Sequence, residues 1–149
     1  MLYCEPFVCN PFQENTWLLH DGREALLVDP GCWNTTEEHR LEAYVTQHGL
    51  RVVRCLNTHG HIDHVLGNAW AHRRFGLLPE IHMDDLELLR RAPTIGQLYG
   101  VPCEASPEPV VVSASRRRAG PMRPIMRAFR PSNSCHGKIT ARQPSIGST

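Results

Sequence analysis

The chain has 149 residues, of which 41% are hydrophobic and 21% charged. This composition is typical of a soluble globular domain, and the chain is too short for two full-sized domains. Its longest apolar runs are a few residues long and its N-terminus carries Glu5 in place of basic residues, which excludes a membrane span and a signal peptide and leads us to expect a cytoplasmic protein. Residues 1–112 hold all 15 acidic and 8 of the 16 basic residues (net −7), whereas residues 113–149 hold the other 8 basic residues and no acidic one (net +8).

Three short strands are predicted at the start of the chain. Residues 1–9 and 15–20 are rich in residues that favour strands, and Asp21-Gly22 is typical of a hairpin turn into a third strand, Glu24–Val28. The proline and glycine after Asp29 end that strand and leave a carboxylate at its tip. Asp29 is therefore a candidate site residue, although an aspartate before proline is also an ordinary turn residue.

The next elements alternate between helix and strand. A cap residue at Asn34 or Thr35, acids in the first turn and Gly49 beyond the end predict a helix that runs to Gln47. The pattern further along predicts a buried strand over 51–57, a helical stretch over 65–75, a short strand over 79–83 and a short helix over 84–91. Strands that alternate with helices after an opening meander indicate a mixed α/β architecture.

The six cysteines are expected to be free thiols. No two of them form a C-x-x-C pair, and nothing in the sequence directs the chain to an oxidising compartment. Cys55 lies in an apolar run, where a small buried hydrophobic residue is the simplest interpretation.

Three histidines and one aspartate, His59, His61, Asp63 and His64, lie within six residues directly after the strand predicted over 51–57. Residues two apart in extended backbone point to the same side, so His59 and His61 can present imidazoles to one ion, while Asp63 and His64 can face a second. Imidazoles with one carboxylate favour zinc, with iron or manganese as alternatives. Two such ions can share a hydroxide and make it a nucleophile near neutral pH, so the cluster predicts metal-assisted hydrolysis.

The segment Thr58-His59-Gly60-His61-Ile62-Asp63-His64 resembles the T-H-x-H-x-D-H signature of the metallo-β-lactamase-fold hydrolases. Residues 15–19 and 27–31 resemble the N-terminal strands of the same superfamily, particularly those of its glyoxalase II-like branch. The resemblance covers residues 1 to about 109. It implies the N-terminal half of an αββα sandwich, with the metal site at one edge between the two sheets.

The resemblance also implies roles for individual residues. His59 and His61 would ligate a first zinc ion, Asp63 and His64 would ligate a second, and Asp63 would be the catalytic carboxylate. Asp29 would lie beside the ions as a supporting carboxylate. The implied activity is the hydrolysis of a small-molecule thioester or ester by a metal-bound hydroxide, as in the hydroxyacylglutathione hydrolases.

The second half of the sequence departs from the family. Family members supply three further ligands there, namely a histidine in a P-G-H-like segment, a bridging aspartate and a final histidine. No aspartate follows Asp85 in this chain, and His136 lacks that context. We therefore expect a partial domain over 1–109 and a basic, Pro/Arg/Ser-rich tail over 110–149 that stays unfolded, and we favour a frameshift, truncation or gene-calling error as its origin.

Two alternatives to an active hydrolase stay open. The four clustered donors could hold one ion in a non-catalytic, metal-binding remnant. The basic segment could instead be an arm that binds nucleic acid, but Phe129 is the only aromatic residue in 113–149, which does not favour base stacking. The sequence specifies neither the substrate nor the oligomeric state.

Overall fold

Three consecutive strands open the fold as an antiparallel meander. The computed structural model describes residues 1–113, in which β1 spans Tyr3–Cys9, β2 spans Glu14–His20 and β3 spans Glu24–Val28. The turn between β2 and β3 is closed by Asp21 Oδ1, which accepts hydrogen bonds from the backbone N–H groups of Arg23 (2.8 Å) and Glu24 (2.9 Å). This is the turn chemistry that the Asp-Gly pair predicts.

The later strands join β3 in parallel. They are β4 (Arg51–Leu56), β5 (Pro79–His82) and β6 (Val110–Val112), and they complete one mixed six-stranded sheet in the order β1-β2-β3-β4-β5-β6. Parallel neighbours need long crossovers, and helices supply them. The helices are α1 (Thr35–Gln47), α2 (Ile62–Val65), α3 (Asn68–Phe75) and α4 (Leu86–Tyr99), with a 3₁₀ turn at Met83–Asp85 before α4. The predicted mixed α/β architecture is confirmed.

The core lies between the sheet and the helices. Leu41 and Val45 of α1 and Trp70 of α3 are buried against inward-facing side chains of β1 to β4. Ile81 of β5 is fully buried and packs with Leu89 of α4 in a second cluster. The helical layer therefore covers one face of the sheet.

The opposite face of the sheet is open near β1 and β2. Successive side chains of a strand point to opposite faces, so Val8 and Trp17 lie on the side away from the helices. They are 53% and 36% exposed. Within residues 1–113, no second layer covers this corner of the sheet.

Three predicted elements differ from the structure. The sequence predicts an unfolded tail from residue 110, but Val110–Val112 forms β6, because three consecutive β-branched residues pair in parallel with β5. The helix predicted over 84–91 runs on through Pro93 to Tyr99, since its buried residues Leu89, Ala92 and Gly96 outweigh the cost of an internal proline. The helical stretch predicted over 65–75 is divided at Gly67, whose N–H donates to the Pro30 carbonyl oxygen at 2.7 Å.

Residues 114–149, which include His136 and most of the predicted tail, lie outside the described residues. None of the helices within residues 1–113 has the length and apolar character that a membrane crossing requires.

Candidate metal centre

The histidine-rich segment leaves the sheet at the end of β4. The chain turns after Leu56 and enters α2, with His61 as the N-cap and Asp63 and His64 as its second and third residues. Asn57 closes this turn, because its Nδ2 donates to the His64 carbonyl oxygen at 3.1 Å. We refer to residues 57–64 as the metal loop.

The structure brings the four predicted metal ligands together. The ring centroid of His59 lies 4.6 Å from that of His61 and 4.1 Å from that of His64. His64 Nε2 lies 3.4 Å from Asp63 Oδ2. His61 is exposed and the other three are half-buried, so the cluster opens to solvent on one side. Their role as ligands stays a prediction, but their proximity is a property of the fold.

Asp29 lies directly behind the cluster, at the end of β3. Its Oδ1 accepts a hydrogen bond from the Thr58 N–H at 2.7 Å and its Oδ2 accepts one from Thr58 Oγ1 at 2.6 Å. Thr58 Oγ1 is in turn 2.9 Å from His59 Nδ1. Because the hydroxyl proton is committed to the carboxylate, the ring nitrogen must be the donor in the second contact. This assignment leaves His59 Nε2 with its lone pair free to bind a metal ion.

Sequence reasoning missed Glu14, a buried carboxylate behind His64. His64 Nδ1 lies 3.1 Å from Asp29 Oδ2 and 3.8 Å from Glu14 Oε1, without the alignment of a hydrogen bond. One ligand atom from each of Glu14, Asp29 and His64 lies within 4.8 Å of the others. The available signal was a charged residue on the inward face of β2, where Thr16, Leu18 and His20 follow at alternate positions.

Burial controls the protonation of this region. Burial raises the pKa of Glu14 to about 8; a hydrogen bond from Thr16 opposes this rise and the negative charge of Asp29 adds to it. Burial also lowers the pKa of His59, and the neighbouring imidazoles of His64 and His61 lower it further. A histidine ligates only in its neutral form, so the lowered pKa of His59 favours metal binding.

Asn10 connects the first hairpin to the metal loop. Its Nδ2 donates to the Gly31 carbonyl oxygen at 3.0 Å and to the Asp63 carbonyl oxygen at 2.8 Å. The backbone of Asn10 has a φ of 54°, a left-handed conformation that asparagine tolerates better than most residues. No sequence pattern indicated Asn10, because its partners are distant in the chain.

Two glycines allow close packing around the metal loop. A Cβ on Gly31 would lie 2.2 Å from Glu14 Oε2 and 2.4 Å from the Asp63 carbonyl oxygen. A Cβ on Gly60, between the first two histidines, would lie 2.7 Å from the Asp85 carbonyl oxygen. Each glycine therefore fixes how closely a neighbouring segment approaches the loop.

Within residues 1–113, the three ligand atoms that all lie within 4.8 Å of one another belong to Glu14, Asp29 and His64. The predicted ligands His59, His61 and Asp63 are connected to His64 by pairwise contacts. Three imidazoles and one carboxylate suit a borderline ion such as zinc, iron or manganese. The hydrogen bond from His59 Nδ1 orients that ring and leaves its other nitrogen available, which is the usual way proteins prepare a histidine ligand. Among the described residues, Glu14 Oε1 and His64 Nδ1 are buried without hydrogen-bond partners and lie 3.8 Å from each other. Buried polar atoms without partners are expected where a bound cation completes the structure.

Comparisons with known proteins give the family of the chain. The model of the metallo-beta-lactamase superfamily matches residues 9–121. The hydroxyacylglutathione hydrolase of Thiobacillus denitrificans is 37% identical over 65 residues, which are 43% of this chain and 23% of that protein.

Two solved structures share the fold. The crystal structure of BLEG-1 B3 metallo-beta-lactamase has a TM-score of 0.63 and 22% identity, over 76% of this chain and 54% of that chain. The structure of TTHA1623 in a di-iron-bound form has a TM-score of 0.61 and 31% identity, over 71% of this chain and 52% of that chain. The matched part thus spans about a quarter of the curated relative and about half of each solved structure.

The family model covers most of the chain and includes β2 to β6, the helical layer and the metal loop, and this fold implies binding of a divalent metal. This chain belongs to the metallo-β-lactamase superfamily.

Proposed function

We propose that this chain is a metal-dependent hydrolase of thioesters or related esters, with a small substrate of the hydroxyacylglutathione type. The observation that carries the proposal is the convergence of His59, His61, Asp63 and His64 at the end of β4, in front of buried carboxylates. The hydroxyacylglutathione hydrolase among the relatives supports the substrate class.

Some residues of the centre would bind the metal ion, and others orient the side chains that bind it. His59 and His61 would hold one ion, and Asp63 with His64 would hold a second or complete the first site. Asp29 and Thr58 orient His59 through the hydrogen bonds described above. A divalent ion in this position supplies Lewis acidity, which acidifies water and polarises a carbonyl oxygen. Zinc is the ion we propose, with iron as the alternative that the di-iron form of TTHA1623 supports.

Asp63 would transfer the proton during hydrolysis. Its carboxylate is partly exposed, at 28% of the side chain, and lies on the open side of the cluster next to His64 Nε2. Thioester hydrolysis adds water across the acyl C–S bond, so a proton must move from the attacking water to the departing thiol. A partly exposed carboxylate beside the reacting centre would be suited to accept and return that proton.

A direct experiment measures metal retention and hydrolysis on the same samples. The full-length protein is stripped with a chelator, equilibrated with zinc, dialysed and assayed for bound zinc and for thiol release from a hydroxyacyl thioester of glutathione. His61→Ala removes a predicted ligand, and His39→Ala, at an exposed position of α1, is the matched control. We expect zinc-dependent thiol release from the wild type and His39→Ala, and its loss in His61→Ala.

A metal-binding remnant without hydrolysis is the second candidate function. It requires only the clustered donors of the metal loop and no correctly positioned nucleophile. Retention of zinc without thiol release would support this candidate over the hydrolase. Failure of the wild-type protein to retain zinc would overturn both.

We also propose a reducing, cytoplasmic location. The five cysteines within residues 1–113 are all free thiols, as the sequence predicts. Fractionation of the source cells, with immunodetection of the chain, tests this location.

A further inference from the structure

Two buried thiols lie side by side behind the metal loop. Cys9 is the last residue of β1, and Cys32 follows Gly31 in the segment after β3. Their Sγ atoms are 3.5 Å apart, and the two residues are only 1% and 2% exposed. They are 23 positions apart in sequence, so the fold itself creates this pair.

We propose that Cys9 and Cys32 form a reversible disulfide when the protein meets a hydroperoxide. A disulfide requires an S–S distance of about 2.05 Å, so the two sulfurs must approach each other by about 1.5 Å. Cys32 lies outside the strands, so a movement of its side chain toward Cys9 would leave the strand pairings of the sheet in place. This inference is independent of the proposed hydrolase function.

Cys9 is the attacking thiol of the pair, because Arg40 Nη2 lies 3.9 Å from its Sγ and a neighbouring positive charge stabilises a thiolate. A hydrogen bond with Cys32 lowers the pKa of Cys9 to about 7 in spite of burial, and Thr16 and the positive charge of Arg40 contribute in the same direction. The same contact and burial raise the pKa of Cys32. The thiolate is the nucleophilic form, so the two thiols are already differentiated for attack and resolution.

The reaction balances with one hydrogen peroxide and two thiols. The Cys9 thiolate attacks one peroxide oxygen, the O–O bond breaks, and hydroxide leaves as Cys9 becomes a sulfenic acid. The hydroxide takes up the proton that Cys9 released and becomes water. Cys32 sulfur then attacks the sulfenic sulfur, the S–S bond forms, and the hydroxyl group leaves with the Cys32 proton as a second water. A dithiol reductant reverses the step.

The disulfide would join the two segments that hold the metal loop. Asn10 and Gly31 are the immediate neighbours of the two cysteines and are hydrogen-bonded to each other at 3.0 Å. Asn10 also donates to the Asp63 carbonyl oxygen. Oxidation would therefore add a covalent connection at the position where the first hairpin, the end of β3 and the metal loop meet.

Peptide mapping tests the proposal on the full-length protein. The folded protein is treated with hydrogen peroxide, its remaining thiols are alkylated, and it is digested with trypsin without reduction. Cys9 then lies in the peptide 1–23 and Cys32 in the peptide 24–40. Cys4 shares the first peptide but is exposed, so Cys4→Ser is the matched control for Cys9→Ala.

We expect the two peptides to be joined in the wild type and in Cys4→Ser, separate in Cys9→Ala and Cys32→Ala, and released by dithiothreitol. The oxidised protein should contain two alkylatable thiols fewer than the reduced protein. Fragment-ion sequencing of the joined wild-type peptides identifies the linked cysteines even if the alanine variants do not fold. Separate peptides with intact Cys9 and Cys32 thiols after peroxide treatment, or a link through Cys4, would overturn the proposal.

Discussion

At the scale of single residues, the candidate centre depends on side chains behind the predicted ligands. Asp29 orients His59 through Thr58, and Asn10 holds the backbone of Asp63. Glu14 contributes a buried carboxylate next to His64. Substitutions at these positions should act on the geometry and protonation of the centre while all four predicted ligands remain in place.

Gly31→Ala is expected to lower the free energy of unfolding by about 2–3 kcal/mol, because its Cβ would overlap Glu14 Oε2 and the Asp63 carbonyl oxygen. Urea unfolding of the metal-free protein measures the loss. Gly49→Ala is the control, since Gly49 has a φ of +60° but open space around it, and should cost only about 1 kcal/mol. Equal losses in the two variants would contradict the packing explanation.

The metal-free protein is expected to lose stability as the pH rises from about 5 to about 8. The pKa of Glu14 is about 8 in the folded state against an ordinary value of 4.5, so in this window the folded state keeps a proton that the unfolded state has released. The free energy of unfolding should fall by up to about 1.4 kcal/mol per pH unit from this group. Urea unfolding at a series of pH values measures the slope.

Glu14→Gln removes this titration and should flatten the pH dependence. Glu87→Gln, at an exposed position in α4, should leave the slope of the wild type unchanged. A Glu14→Gln variant whose stability still falls as steeply as that of the wild type would show that another group titrates.

At the scale of elements, the N-terminus of α1 connects the helical layer to the centre. Asn34 Oδ1 accepts the Glu37 N–H at 3.0 Å and caps the helix. The Glu37 carboxylate accepts hydrogen bonds from the N–H groups of Asn10 (3.0 Å) and Trp33 (2.7 Å). The first turn of α1 therefore helps to hold the residue that supports the metal loop.

Asn34→Ala is expected to lower the free energy of unfolding by about 1 kcal/mol, because it removes the cap. Asn34→Ser keeps a capping oxygen and should recover most of the loss. Thr36→Ala, at an exposed position in the same turn, should change stability little. Chemical denaturation checks all three, and no recovery in Asn34→Ser would argue against a capping role.

The sequence predicted the elements whose signals are local. β1 to β5 and α1 follow from strand-forming runs, turn residues and a marked cap, and the histidine motif lies directly after a strand, as predicted. The role of its four side chains as ligands stays a prediction. The length of α4 was not predictable from local signals. Pro93 favours an end of the helix, but the burial of Leu89 and Ala92 stabilises its continuation to Tyr99. Glu14 and Asn10 were missed because their roles come from contacts between segments far apart in the chain.

At the scale of the whole molecule, the described part is one sheet with helices on one side. The corner formed by β1 and β2 leaves Val8 and Trp17 exposed on the other side. Exposed apolar side chains on neighbouring strands form a surface to which small hydrophobic molecules adsorb. This surface distinguishes the chain from a protein whose sheet is covered on both faces.

The double variant Val8→Thr and Trp17→Thr is expected to reduce the fluorescence of a bound anilinonaphthalene sulfonate dye by roughly half, because it makes this surface polar. Threonine favours strands, so the thermal midpoint should change little. Leu98→Thr replaces an 82% exposed residue of α4 and serves as the control. Undiminished dye fluorescence in the double variant would place the adsorbing surface elsewhere.

The hydrogen bond between the Asn10 side chain and the Asp63 carbonyl oxygen has a consequence for the order of events during folding. The two residues are 53 positions apart, so this bond closes only after a large part of the chain has collected around β3 and β4. We therefore expect the metal loop to reach its final position only when the first hairpin docks. Ion uptake by a refolding chain should follow the slow docking of that hairpin and should not begin when the histidines first become available.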